Sequence, residues 1–145
     1  MPEEPKLPPG LEVYRPRELL GRSVLVVDDE RSLRQQLTRD LQALGYAALE
    51  ADSADAARRV IDSETVDAVI LDLLLDGDDD GFQLLAWIRE RRPRVPVSVL
   101  SAARTASAHI RRAYELGASS YFVKGNIPLA HLYSDLAARM LEATG

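Results

Sequence analysis

Polar side chains that suit phosphoryl chemistry each come directly after a short apolar run of the sequence. Asp28 and Asp29 follow the first run, Asp72 the third, Ser101 the fourth and Lys124 the fifth. A single acid in such a position is ordinarily a turn former, or it sits in a first helical turn, where the helix dipole favours it. That interpretation treats each residue separately. It does not explain why the whole set falls at the ends of apolar runs and none of it inside one.

These residue types together predict a metal-assisted phosphoacceptor site. Carboxylates that crowd together repel each other, and a hard divalent cation relieves that repulsion. Mg²⁺ prefers carboxylate, carbonyl and water oxygens in octahedral geometry. A cation held here would screen Asp72 and draw in a phosphoryl group, so that the carboxylate can act as a nucleophile. Lys124 would then neutralise phosphoryl oxygens as a point charge, and Ser101 would donate a hydrogen bond to another oxygen.

The apolar runs alternate with segments of helical spacing, which indicates an α/β fold. Short connections between such units require right-handed crossovers and a parallel sheet. We therefore predict a five-stranded parallel sheet of order 2-1-3-4-5, doubly wound with five helices as in flavodoxin, with the site at the carboxyl ends of the strands. The predicted strands cover residues 23–27, 46–50, 68–73, 96–100 and 120–123, and the last two helices cover 104–116 and 128–143.

Composition limits the classes of protein that this chain can belong to. Residues 1–20 contain five of the eight prolines and show no sustained period, so we predict an irregular arm there and a single domain over 21–145. The chain has no cysteine, which excludes disulfides and thiolate metal sites. A net charge of −5 without a long basic run argues against nucleic-acid binding. No apolar stretch approaches the roughly 20 residues of a bilayer span, so we expect a cytoplasmic protein without a membrane partner.

The segments VLVVDDE, VILDL, SVLSA and YFVK, in that order and at those intervals, resemble the receiver domain of two-component response regulators, of the chemotaxis-regulator kind. The resemblance covers about residues 21–143. It implies that Asp72 is phosphorylated and that Asp28 and Asp29 hold Mg²⁺, directly or through water. It also implies that the backbone carbonyl of Leu74 completes the metal shell together with Asp72.

The resemblance also implies how the domain is switched and read. Ser101 matches the family's hydroxyl residue, Lys124 its lysine and Tyr121 its switch aromatic, while Glu30 and Ala102 are expected to border the site. The phosphoryl group would come from a histidine kinase or a histidine phosphotransfer protein. A protein target would bind the face formed by helix 4, strand 5 and helix 5. A homodimer is left open.

We expect a signalling domain rather than an enzyme, with only self-catalysed phosphoryl transfer and slow autodephosphorylation. No output domain is expected, because the chain ends soon after the fifth helix. In the family, the positions two beyond the phosphoacceptor and two beyond the hydroxyl flank the approach of hydrolytic water. Here they are Leu74 and Ala103, which cannot orient a water molecule. The aspartyl phosphate is therefore expected to be long-lived.

The sequence departs from the family pattern in two places. The loop Asp76–Gly81 is longer than usual and begins like a calcium-binding EF-hand loop, but Trp87 stands where that motif needs a bidentate Glu, so a solvated acidic turn is the better interpretation. Lys124 is followed by Gly125 instead of the usual cis proline. Since a cis bond before a non-proline costs roughly 3 kcal/mol, either this bond is trans or the fold holds the strain.

Other interpretations remain open at the sequence level. His109 and His131 are too far apart to form a recognisable ligand pair, and we expect structural roles for both. One alternative function is a scaffold on the receiver fold that works without phosphorylation. A further alternative is a small Mg²⁺-dependent phosphatase, although Leu73–Leu74 offers no second acid close behind Asp72.

Overall fold

The computed structural model describes residues 10–75, 80–102, 107–125 and 128–144. Within these ranges, five strands alternate with five helices, as predicted. The strands are β1 (Ser23–Val27), β2 (Ala47–Ala51), β3 (Ala68–Leu71), β4 (Val97–Ser101) and β5 (Ser120–Val123). The helices are α1 (Arg31–Ala43), α2 (Ala54–Ser63), α3 (Asp80–Arg91), α4 (Ser107–Glu115) and α5 (Leu129–Thr144). None of these described helices is both long and apolar enough to cross a membrane.

The strands form one parallel sheet of order β2-β1-β3-β4-β5, which confirms the predicted fold class. Val27 pairs with Leu71, and Ser101 pairs with Val123, so β1 and β3 end side by side, as do β4 and β5. β3 is shorter than predicted: the ladder ends at Leu71, while Leu73 is buried outside it. An apolar run shows that residues are buried, but it does not show where strand pairing stops.

Both faces of the sheet are covered, which explains why the central strands are apolar without alternation. Leu25 and Val27 point into a core shared with α2, α3 and α4. Val24 and Val26 point into a second core shared with α1 and α5. Because successive side chains of a strand point to opposite faces, one apolar run serves both cores and holds the strand ends in fixed positions.

Residues 10–20, the described part of the predicted arm, lie against α1 and α5. They include a short 3₁₀ helix at Arg17–Leu19, and Leu19 is fully buried in the core beneath these two helices. The backbone N–H of Tyr14 donates to Ser134 Oγ on α5 at 3.1 Å. Residues 1–9 lie outside the described residues, and the domain boundary at residue 21 stays a prediction.

Candidate functional site

The predicted site residues meet at the carboxyl edge of the sheet. Asp28 follows β1, Asp72 follows β3, Ser101 ends β4 and Lys124 follows β5. Asp28 and Asp72 are only 2% and 4% exposed, and Ser101 is fully buried. Two carboxylates with so little solvent need polar partners, because an unpaired buried charge is costly. The fold supplies these partners from neighbouring strands.

Asp72 is hydrogen-bonded at both carboxylate oxygens. Its Oδ1 accepts from the hydroxyl of Ser101 at 3.1 Å and from the backbone N–H of Leu74 at 2.9 Å. Its Oδ2 accepts from Lys124 Nζ at 2.9 Å. The N–H of Asp72 donates to the carbonyl of Val27 at 2.9 Å, which ties its backbone to the end of β1. The carboxylate is therefore fixed in orientation by two other strands and by its own chain.

Lys124 bridges the two buried acids. Its ammonium lies 2.9 Å from Asp72 Oδ2, 3.0 Å from Asp28 Oδ2 and 3.7 Å from Glu30 Oε2. Burial alone would lower the pKa of Lys124, but the hydrogen bonds to Asp72 and Asp28 and their negative charges outweigh burial and raise it. Lys124 is therefore a permanent cation at this edge of the sheet.

Asp28 is held by the backbone that follows it. Its Oδ1 accepts from the N–H of Glu30 at 2.8 Å, and its carbonyl accepts from Arg34 at 2.8 Å. Burial raises the pKa of Asp28, and the charge of Asp72 adds to this, while the Glu30 N–H and Lys124 oppose it. Arg34 also pairs with Glu50 at 3.1 Å. Sequence reasoning missed Arg34, since its contacts with Asp28 and Glu50 depend on how α1 is placed against the ends of β1 and β2.

The arrangement of acids suits a hard divalent cation. Asp28, Asp29 and Asp72 each offer a carboxylate oxygen, and these atoms lie within 4.8 Å of one another. Carboxylate oxygens are donors that Mg²⁺ prefers, and these three lie close enough together to be gathered around one ion. Among the described residues, one ammonium, that of Lys124, pairs with the buried acids Asp28 and Asp72, so the three carboxylates leave the site with net negative charge. The role of the Leu74 carbonyl stays a prediction; the Leu74 side chain is 44% exposed.

Tyr121 and Ala102 lie at the border of the site. The Tyr121 hydroxyl is buried beside Ser101. Burial raises its pKa first and the negative charge of Asp72 raises it further, while a hydrogen bond with Ser101 opposes this rise. Ala102 is exposed directly after Ser101. Ala103 and residues 76–79 of the predicted loop Asp76–Gly81 lie outside the described residues, while Asp80 and Gly81 belong to α3 instead of a loop.

The structure answers two questions that the sequence left open. None of the described peptide bonds is cis, so the bond between Lys124 and Gly125 is trans, and Gly125 adopts a φ of +83° that favours glycine. His131 is exposed on α5, whereas the ring of His109 packs edge-on against Phe82, with ring centroids 5.4 Å apart.

Gly81 was predicted only as part of a loop, but it also allows a close approach between α3 and the segment after Asp72. A Cβ at this position would overlap with the backbone of Leu73, so only glycine lets the start of α3 approach the segment after Asp72. The sequence contains no signal for this contact, since it depends on how α3 is placed in three dimensions.

Comparison with known proteins agrees with this geometry. Residues 24–134 match the family model of the response regulator receiver domain. This chain belongs to the receiver domain family. The match confirms the predicted resemblance to receiver domains and the predicted signalling class. Receiver domains work with histidine kinases or phosphotransfer proteins.

The receiver domain has relatives among longer regulators. It is 39% identical over 108 residues to the response regulator protein FleR of Pseudomonas aeruginosa, covering 72% of this chain and 22% of FleR. It is 34% identical over 119 residues to the transcriptional regulatory protein YvrH of Bacillus subtilis, covering 81% of this chain and 47% of YvrH. The chain therefore spans less than half of either relative.

Solved structures show the same fold. A CheY-like receiver domain protein from Methanospirillum hungatei superimposes with a TM-score of 0.78 at 21% identity, covering 86% of this chain and 97% of that one. The response regulator TrrA of Thermotoga maritima, solved in complex with Mg²⁺–BeF, gives a TM-score of 0.71 at 26% identity, covering 81% of this chain and 98% of TrrA.

Proposed function

We propose that Asp72 accepts a phosphoryl group from a phosphohistidine of a kinase or phosphotransfer protein, with Mg²⁺ held by Asp28, Asp29 and Asp72. The observation that carries this proposal is the environment of Asp72. It is a buried carboxylate whose two oxygens meet a hydroxyl, an ammonium and a backbone N–H, and two further acids lie beside it. Such a constellation supplies a nucleophile and the donors that receive phosphoryl oxygens.

The chemistry is a simple transfer. A carboxylate oxygen of Asp72 attacks phosphorus, an O–P bond forms, and the P–N bond to the donor imidazole breaks with its electron pair leaving on nitrogen. A bound Mg²⁺ would supply positive charge against the phosphoryl oxygens. Lys124 is within reach of those oxygens, and its ammonium can turn from Asp72 to the incoming group. The mixed anhydride stores the energy that later shifts the protein between two states.

Ser101 provides the first part of that shift. Its hydroxyl donates to Asp72 Oδ1 in the unphosphorylated protein, and after transfer it would donate to a phosphoryl oxygen instead. A switch needs a group that interacts differently with two states, and this change of acceptor is such a difference. Tyr121 lies on β5 with its hydroxyl buried beside Ser101, so a movement of Ser101 changes the surroundings of that hydroxyl. We infer that the α4-β5-α5 face reports phosphorylation to a protein target.

A scaffold that works without phosphorylation remains the alternative function. It would keep the fold and leave Asp72 unmodified. Incubation with acetyl phosphate and Mg²⁺, followed by intact mass measurement, separates the two. The proposal predicts a gain of one phosphoryl group in the wild type and in Asp55→Asn, a matched change at an exposed acid of α2. It predicts no gain in Asp72→Asn. No gain in any of the three proteins would favour the scaffold.

A further inference from the structure

Helix α4 is the least firmly anchored helix of the described structure. Only Ala113 is buried on it, whereas α1 and α2 each bury three side chains and α5 buries five. A helix with so little buried surface depends strongly on each of its remaining contacts. Its local stability should therefore lie near the low end of the range within this domain.

Helix α4 also contacts one aromatic ring on α3. Phe82 is 3% exposed and meets the ring of His109 edge to face, at 5.4 Å between centroids and 88° between planes. The guanidinium of Arg112 lies over the same Phe82 ring, 4.2 Å from its centroid. Edge-to-face pairs and cation–π contacts are both attractive beyond their buried area. Two side chains of α4 thus hold one side chain of α3.

Phe82 is in turn placed by the segment that follows the phosphoacceptor. Its neighbour Gly81 packs so closely on the backbone of Leu73 that a Cβ would not fit. The next residue, Leu74, donates its N–H to Asp72 Oδ1 at 2.9 Å. A change at Asp72 Oδ1 therefore acts on the backbone of residues 73–74. Because Gly81 lies directly against that backbone, a movement of residues 73–74 acts on the start of α3 and on Phe82.

A buried polar atom on α4 favours a second stable position of this helix. The Nδ1 of His109 is buried without a hydrogen-bond partner among the described residues. Such orphaned groups are uncommon in folded proteins, and they lower the cost of a rearrangement that would pair them.

We propose that Phe82 is a positioning residue that transmits the state of Asp72 to α4 through its contacts with His109 and Arg112. This route runs through the β3–α3 side of the site and is separate from the movement of Ser101. The proposal rests on the proposed function, because it needs Asp72 to be modified. It predicts that α4 loosens when the Phe82 ring is removed, and that phosphorylation then changes α4 by less than half as much as in the wild type.

Hydrogen exchange of the full chain, with and without acetyl phosphate and Mg²⁺, tests this proposal. In Phe82→Leu we expect exchange in Ser107–Glu115 to rise by roughly three- to tenfold before phosphorylation. The phosphoryl gain by intact mass should match the wild type, while the change in α4 exchange on phosphorylation should fall by more than half. Phe122→Leu is the matched control, since it makes the same substitution at the other phenylalanine, which packs on the opposite face of the sheet.

Two changes at the half-exposed His109 complete the test without altering the core. His109→Leu should reduce the change in α4 exchange on phosphorylation, as Phe82→Leu does. His109→Phe keeps an edge-to-face pair with Phe82 and should retain that change. If Phe82→Leu does not fold, this pair decides the question. If both leucine variants gain the phosphoryl group normally and still show the wild-type change in α4 exchange, the role of Phe82 is overturned and the proposed function stands. Absence of phosphoryl gain in the wild type would overturn the proposed function and this inference with it.

Discussion

Removing the ammonium of Lys124 should destabilise the protein, and Mg²⁺ should restore much of the loss. Lys124 lies 2.9 Å from Asp72 and 3.0 Å from Asp28, and both acids are almost fully buried. Breaking a buried ion pair typically costs about 3–5 kcal/mol, because a charge is left without a partner. Ser101 and the N–H of Leu74 still hold Asp72, and Lys124 itself is 17% exposed. We therefore expect a loss near the lower limit, about 3 kcal/mol.

The assay is urea unfolding of Lys124→Met in EDTA and in saturating Mg²⁺. A loss of about 3 kcal/mol should appear in EDTA, equivalent to about 10 °C in Tm. It should shrink with Mg²⁺, since a cation held by the same carboxylates replaces the missing charge. Arg111→Met, at an exposed position of α4, is the control for charge and should change little.

Two further results follow from the same reasoning. Adding Asp28→Asn to Lys124→Met should recover stability, because it removes one of the two uncompensated charges. The deficit of Lys124→Met should also shrink as pH falls. Burial raises the pKa of Asp28, and removing Lys124 removes an interaction that opposes this rise. A carboxyl group whose pKa is raised in the folded state contributes stability below its unfolded pKa and loses it as pH rises through the folded pKa. A loss below about 1 kcal/mol in EDTA, or one equal to that of Arg111→Met, would refute the bridging role of Lys124.

Three other predictions concern the acids and the site entrance. Asp29→Ala should weaken Mg²⁺ binding in calorimetry and abolish phosphorylation without unfolding the chain, because Asp29 is exposed; unchanged binding would contradict its assignment. Leu74→Asn should speed loss of the phosphoryl label, since the half-exposed leucine cannot orient a water molecule and asparagine can; equal decay rates would show that Leu74 does not control access. Gly81→Ala should lower the free energy of unfolding in urea by about 2 kcal/mol or more, because its Cβ would meet backbone atoms of Leu73. A neutral variant would show that this contact is loose.

The sheet order and the positions of the site residues could be predicted because they follow from simple patterns. Apolar runs of four or five residues separated by helical segments leave little choice of topology. Asp28, Asp72 and Lys124 each follow such a run, so the parallel sheet brings them together. Helix α2 follows Ser53, a residue type that favours helix N-caps, and its Oγ accepts from the N–H of Ala56 at 3.1 Å.

The contacts that the sequence did not reveal depend on tertiary placement. Leu11 and Leu19 stand among prolines without a period, yet residues 10–20 pack on α1 and α5. The contact between Gly81 and Leu73 depends on the position of α3 relative to β3. The pair of Phe82 and His109 joins two helices that are separated by a strand. Local propensity and periodicity carry no information about such distances.

The most direct test of the central claim is to locate the phosphoryl group by residue. Purified protein treated with acetyl phosphate and Mg²⁺ can be reduced with borohydride, which converts an aspartyl phosphate to homoserine. Peptide mass spectrometry then reads the converted position. Our account predicts homoserine at position 72 alone, with none in protein that was not phosphorylated. Conversion at Asp28, Asp29 or another acid, with Asp72 unchanged, would contradict it.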